Sequence, residues 1–375
     1  MQTIPRPFRP WAPRVFLALI LCATGLLVAQ QAPTFSVDVK VVNVLATVRD
    51  KHGNIVNSLT KDDFILEEEG RPQTIRYFAR ESDLPLSLGL LVDTSRSQSE
   101  VIGQERAASA AFANDILRDG TDTSFLIHFD HEVELLQDLT TSRQKMVSAL
   151  QSLQPTSYDR QTRGNGPNGG GRHGGGSGGG TLLYDSIYLA SDELLQKRPG
   201  RKAIVVLTDG VDHGSKMSLE RAIETAQRAD TMVYSIYFAG QEGGDRHTGF
   251  GGPWGGGHRR GGGWPGGGGG WPGGRTDPRS SGPSSEDGKK VLERLSRETG
   301  GRMFVVSRKE PVDQIYRQIE DELRNQYNLG YTPDRAAEGS SDYRRIRVTA
   351  KSKDLTVQAR EGYYPGRQVN AQLVH

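Results

Sequence analysis

The sequence predicts an α/β protein built on a doubly wound, Rossmann-like sheet, with β-strand segments on either side of it. Three observations carry this. From Leu86 to Leu323, strand-like and helix-like patterns alternate, as in a sheet covered by helices on both faces. Ala203 to Leu207 is an unbroken apolar run between charged residues and a turn, the pattern of a parallel strand buried on both sides. The stretches before Leu86 and after Leu323 are instead rich in β-formers. Their placement suggests that they pair into one small sandwich-like module, with the α/β unit inserted between them.

The elements follow in order. Arg6, Arg9 and Arg14 precede an apolar stretch from Val15 to Val28, and Ala29 is small enough for cleavage. This reads as an export signal over residues 1–29, its apolar stretch shorter than the ~20 residues of a spanning helix. Leu27 fits poorly three positions before the cut, so an uncleaved anchor stays open as the only membrane attachment. Residues 35–80 read as a β module. Val37, Val39 and Val41 alternate with polar residues, while Val44, Ala46 and Val48 do so one position out of phase, which predicts a bulge or break near Asn43. Residues 85–325 carry the α/β pattern. Helix stripes run through Ala108, Ala111, Phe112 and Ile116, through Met146, Leu150 and Leu153, through Leu183, Ile187, Ala190 and Leu194, and through Val312, Ile315, Ile319 and Leu323. Ser124–Phe129 and Val133–Leu136 read as strands of a hairpin turning at Asp130-His131. Residues 326–366 return to strands.

Glycine-rich tracts at 164–180 and 240–274 interrupt the α/β unit, the second containing Trp254, Trp264 and Trp271. Such composition cannot bury enough apolar area to offset chain entropy, so both are expected to be disordered or loosely ordered. The 375 residues suggest two or more compact units, and a formal charge of +2 gives no bulk case for nucleic acid. The one cysteine, Cys22, lies inside the export segment, and Leu21 before it fits lipid attachment poorly. A mature chain starting near Gln30 would hold no disulfide, thiolate metal site or cysteine nucleophile.

Chemistry concentrates in three loops. Asp93-Thr94-Ser95-Arg96-Ser97 closes the apolar run Leu86–Val92, Thr208-Asp209-Gly210 closes Ala203–Leu207, and Thr181 opens a helix-like segment between them. In a doubly wound sheet, ligand groups gather at the carboxyl ends of strands near the point where strand order reverses. Asp93, Ser95, Ser97, Thr181 and Asp209 then form an all-oxygen site suited to a hard divalent cation, Mg2+ first, with Mn2+ or Ca2+ as alternatives. With only two carboxylates, the cation would retain attraction for an acidic partner. The competing reading is local. Ser97 or Ser99 would cap the helix from Val101, Thr181 would cap the next, and Asp209 would close a turn.

This order of residues, with Thr181 in Gly180-Thr181-Leu182-Leu183-Tyr184-Asp185, resembles the metal-ion-dependent adhesion site (MIDAS) of von Willebrand factor type A (VWFA) domains. Asp62-Asp63-Phe64 and Gln326-Tyr327-Asn328-Leu329-Gly330-Tyr331 are similar to segments of VWFA-related proteins abundant in acidobacteria. The likeness covers roughly 35–366 apart from the glycine tracts. It implies a Rossmann-like fold and metal-mediated binding of a protein ligand through an acidic residue.

Other constellations are weaker. His128 and His131 flank a hairpin tip with no third ligand nearby in sequence, so a surface turn is the simpler reading. Asp185 and Asp212 lie close to the site in sequence and would support it or serve only the surface. No Ser/His/Asp set carries a nucleophile elbow. His258-Arg259-Arg260 beside the tryptophans would suit an anionic polymer or a solvated loop. The sequence thus points to a non-enzymatic, exported binding protein, periplasmic, envelope-bound or extracellular, with a role in adhesion. It would grip an exposed Asp or Glu through the cation. A scaffold subunit of an envelope assembly is the alternative. A metal-dependent hydrolase would need a general base, for which His213 is the nearest histidine in sequence.

Overall fold

The computed structural model describes residues 41–80, 84–95, 98, 102–154, 180–238, 285–334 and 343–365. The export segment, Ser97, the first glycine tract apart from Gly180, and the whole second tract with its three tryptophans lie outside the described residues.

Chain order begins with strands β1 (Val42–Asp50), β2 (Phe64–Glu68), β3 (Arg71–Gln73) and β4 (Ile75–Arg80). The α/β part follows with β5 (Leu86–Asp93), α1 (Ile102–Ile116), β6 (Thr123–Phe129), β7 (Val133–Thr140), α2 (Arg143–Ser152) and α3 (Leu183–Leu189). Helix α3 runs on into a π-helical turn, Ala190–Leu195. Then come β8 (Arg201–Thr208), α4 (Leu219–Arg228), β9 (Thr231–Tyr237), α5 (Ser285–Thr299), β10 (Met303–Val305) and α6 (Val312–Arg324). Strands β11 (Tyr327–Tyr331), β12 (Arg344–Ala350), β13 (Leu355–Ala359) and β14 (Gly362–Tyr363) close the chain.

The central sheet has the order β10-β9-β8-β5-β6-β7. All its pairings are parallel except β6 with β7, the expected hairpin. β7 is longer than the apolar stretch Val133–Leu136 suggested. It reaches Thr140 because register shifts at Leu126 let its polar half keep pairing. β5 and β8 are buried along their whole length, and their side chains divide by period two. Leu86, Leu88, Leu90 and Val92 of β5 and Ala203, Val205 and Leu207 of β8 face a core shared with α1, α2 and α6. Leu91, Ile204 and Val206 face the opposite core, shared with α3, α4 and α5. That two-sided burial explains the continuous apolar runs in the sequence.

The terminal strands form two four-stranded antiparallel sheets, β13-β1-β11-β4 and β14-β12-β2-β3. Strands from before and after the α/β unit share both sheets, as their placement suggested: they alternate in the first, and in the second they meet where β12 pairs with β2. The inward residues, among them Val44, Leu66, Leu329 and Val348, make a third core. β1 carries no bulge at Asn43. Val42, Asn43 and Val44 pair in succession with Tyr331, Gly330 and Leu329. Val42, rather than Val41, begins the inward phase kept by Val44, Ala46 and Val48. The irregularity lies instead between Gly330 and Tyr331, opposite β4.

The sandwich is fastened to the α/β part through buried charge. Arg49 of β1 bonds Glu322 on α6 and Gln358 on β13. Arg302 reaches the same Glu322 oxygen at 3.1 Å. Arg360 pairs with Asp230 and donates to the Asn43 carbonyl at 2.8 Å.

Candidate metal centre

β5 and β8 are parallel neighbours with Val92 opposite Leu207. Asp93 and Thr208 therefore leave the sheet side by side at its carboxyl edge. β5 is also where strand order reverses, since β6 lies on its other side. That is the crevice in which open α/β sheets collect ligands.

Asp93 is fully buried. One carboxylate oxygen accepts the Thr208 hydroxyl at 2.6 Å, and the other accepts the Ser95 amide N–H at 2.9 Å. The Ser95 side chain bonds the same carboxyl. Burial pushes the Asp93 carboxyl up to about 7, the hydroxyl and amide donors oppose that rise, and the charge of Asp209 adds to it. Ser95 itself is partly exposed.

Asp209 follows Thr208 directly. It is 8% exposed, and one of its oxygens accepts the Val211 amide at 3.1 Å. This is the turn-closing bond of the local reading, and it leaves the other oxygen outside that turn. The Gly210 amide donates back to the Thr208 hydroxyl at 3.1 Å. Gly210 has φ +77°, and a Cβ there would stand 2.4 Å from the Gly288 carbonyl of α5, so this turn requires glycine.

Thr181 arrives from a third loop that is latched on two sides. The Leu182 amide donates to the Asp130 carbonyl at 2.8 Å, and the His213 amide donates to the Thr181 carbonyl at 2.9 Å. A Cβ at Gly180 would lie 2.3 Å from the His213 carbonyl, so the approach of the two loops depends on that glycine. Thr181 does not cap α3. The cap position is Leu182, with no side-chain bond, and this removes the local reading for Thr181. Asp212 accepts the Tyr184 amide at 3.2 Å and the Ser215 hydroxyl at 2.6 Å, while Asp185 accepts the Met217 amide at 2.9 Å. These two carboxylates hold the Val211–Met217 loop against the start of α3.

Four of the five expected residues are thus described, and the structure sets Asp93 and Asp209 at one sheet edge with the Thr181 loop tied to Asp209's own loop. Ser97 lies outside the described residues. The donor set of carboxylates and hydroxyls fits a hard divalent cation. A buried carboxyl with a raised proton affinity is also one that a cation would relieve. The histidines do not converge. His128 bridges the Thr94 hydroxyl at 3.1 Å and Glu134 at 2.9 Å, His131 pairs with Asp130 at 2.8 Å, and His213 is exposed. Sequence reasoning assigned Thr208 no role, although its place before Asp209 at a strand end was a usable signal. It also passed over Glu105, a charged residue on the apolar stripe of Ala108, Phe112 and Ile116.

Residues 88–211 match the family model described as von Willebrand factor type A domain. Among solved structures, the chain is similar to an aerotolerance-related membrane protein from Bacteroides fragilis, at 14% identity over 64% of this chain and 98% of that one, TM-score 0.40. It is similar to proximal thread matrix protein 1 from the mussel byssus with a zinc-occupied MIDAS motif, at 10% identity over 68% and 49%, TM-score 0.42. It is also similar to a von Willebrand factor type A protein from Catenulispora acidiphila, at 11% identity over 87% and 74%, TM-score 0.43. No curated protein matches the sequence.

Proposed function

We propose that this chain, which carries a von Willebrand factor type A domain, is an exported binding protein. It engages an exposed Asp or Glu of a protein ligand through a divalent cation held by Asp93, Ser95, Ser97, Thr181 and Asp209. The observation that carries this reading is the bond from Thr208 to Asp93, which fixes a buried carboxylate beside Asp209 at the carboxyl edge of the sheet. Beyond Asp93 and Asp209 the protein donors are neutral hydroxyls, so an acidic group from a partner can complete the cation's coordination. Mg2+ suits such oxygen donors and readily retains a position for an incoming oxygen. Asp93, Ser95, Ser97, Thr181 and Asp209 would hold the ion and Thr208 would orient Asp93. The partner's carboxylate is the remaining ligand, and the reading contains no catalytic step. Export rests on the apolar segment Val15–Val28. Among the described residues, no helix is long and apolar enough to cross a membrane.

A second reading, a scaffold subunit of an envelope assembly, is favoured by the sandwich, which has its own core and exposes Ile65 and Tyr77. A pull-down from envelope extract separates the two. Partners that bind wild-type chain in Mg2+, and are lost both in chelator and with Asp93→Ala, support the cation-bridged reading. Partners that persist in chelator favour the scaffold.

A further inference from the structure

Glu105 lies in the first turn of α1, on the face that continues through Ala108, Phe112 and Ile116 into the core. It is 0% exposed, and neither carboxylate oxygen has a hydrogen-bond partner. Gln98 is also 0% exposed, with both polar side-chain atoms unpartnered, and its backbone amide donates to the Ser95 carbonyl at 3.0 Å. The base of the Asp93 loop therefore contains orphaned polar groups of two side chains. One turn beyond Glu105, the Ser109 and Tyr316 hydroxyls meet at 2.6 Å, which fastens α1 to α6 and holds Glu105 inward.

An orphaned buried carboxylate is costly unless a positive charge stands near it. Burial first, and the charge of Asp93 second, push the Glu105 carboxyl up to about 8. The two carboxylates thus sense one another. Among the described residues, no three His, Cys, Asp or Glu side chains converge closely enough to hold a metal by themselves. Glu105 is fully buried on α1, outside the three loops that carry the proposed ligands.

We propose that Glu105 is a positioning residue that sets cation affinity, its buried charge drawing the ion onto Asp93 from the interior side. This rests on the cation reading given above. Coulomb attraction falls only as the inverse of distance and is weakly screened inside a protein, so no Glu105–metal bond is required. When the cation is absent, the folded chain relieves that charge only by taking up a proton that the unfolded chain releases, which costs stability.

The test uses the full chain and its isosteric variant Glu105→Gln, titrated calorimetrically with Mn2+ and Mg2+ and melted in chelator. The expected result is at least a tenfold loss of Mn2+ affinity together with a higher melting temperature in chelator. A role in packing alone would lower that melting temperature, and this outcome would overturn the inference. Equal affinity of wild type and variant would also overturn it while leaving the cation site standing. A wild-type chain that binds neither ion would overturn the cation reading itself and this inference with it.

Discussion

Thr208 of β8 donates its hydroxyl to the buried carboxylate of Asp93 on β5, at 2.6 Å, across the seam where the two strands leave the sheet. The same hydroxyl accepts the Gly210 amide at 3.1 Å. One side chain therefore sets both the orientation of Asp93 and the turn that carries Asp209.

Thr208→Val keeps the shape and removes both bonds. A hydrogen bond to a charged group contributes roughly 1.5–3 kcal/mol, and loss of an orienting partner weakens metal sites by about 10–100-fold. The variant is expected to be less stable by about 1–3 kcal/mol in urea denaturation, with cation affinity down about tenfold in calorimetry. Unchanged affinity would show that Asp93 is oriented without Thr208.

Acid should weaken the site. The folded, cation-free Asp93 carboxyl titrates near 7 because burial, reinforced by Asp209, raises it above its ordinary value of 3.8. Between those values the folded chain holds a proton that the unfolded chain has released, so the cation-free protein loses stability as pH rises from about 4 to 7. A cation needs the carboxylate, so protons compete below pH 7, at about tenfold in affinity per pH unit. The rise in melting temperature on adding Mg2+ should be small at about pH 5.5 and large at about pH 7.5. A pH-independent rise would place the ion elsewhere.

The join between sandwich and α/β part depends on Arg49 and Glu322. Glu322 is 1% exposed, and burial raises its carboxyl against the pull of Arg49 and Arg302. Arg49→Met removes the principal countercharge and should cost about 3–5 kcal/mol in chemical denaturation. Adding Glu322→Leu should recover most of that loss, because a well-packed apolar pair replaces a broken ion pair at little cost. If the double variant is as unstable as the single one, the pair is not the source of the effect.

Much of the fold was legible because burial leaves periodic traces. Strands buried on both faces wrote continuous runs at Leu86–Val92 and Ala203–Leu207, and helices wrote stripes such as Val312, Ile315, Ile319 and Leu323. In β1 the inward phase of Val44, Ala46 and Val48 was legible, whereas only pairing with β11 shows that Val42 shares it; Val37 and Val39 lie outside the described residues. At the site, Asp93 and Asp209 were visible as polar residues ending apolar strands, and Thr181 as one opening a helix. The contacts that position them were not. The Thr208–Asp93 bond spans 115 residues, and the latch of the Thr181 loop onto His213 arises only once β8 lies beside β5. The full burial of Asp93 follows from its place at the end of a strand covered on both sides.

The cation site itself is tested most directly by calorimetric titration of Mg2+ and Mn2+ into wild-type chain and Asp93→Ala, with circular dichroism to establish that both are folded. The account predicts saturable binding by the wild type at pH 7.5 and none by the variant. Equal affinity in the folded variant would contradict it and remove Asp93 from any cation site.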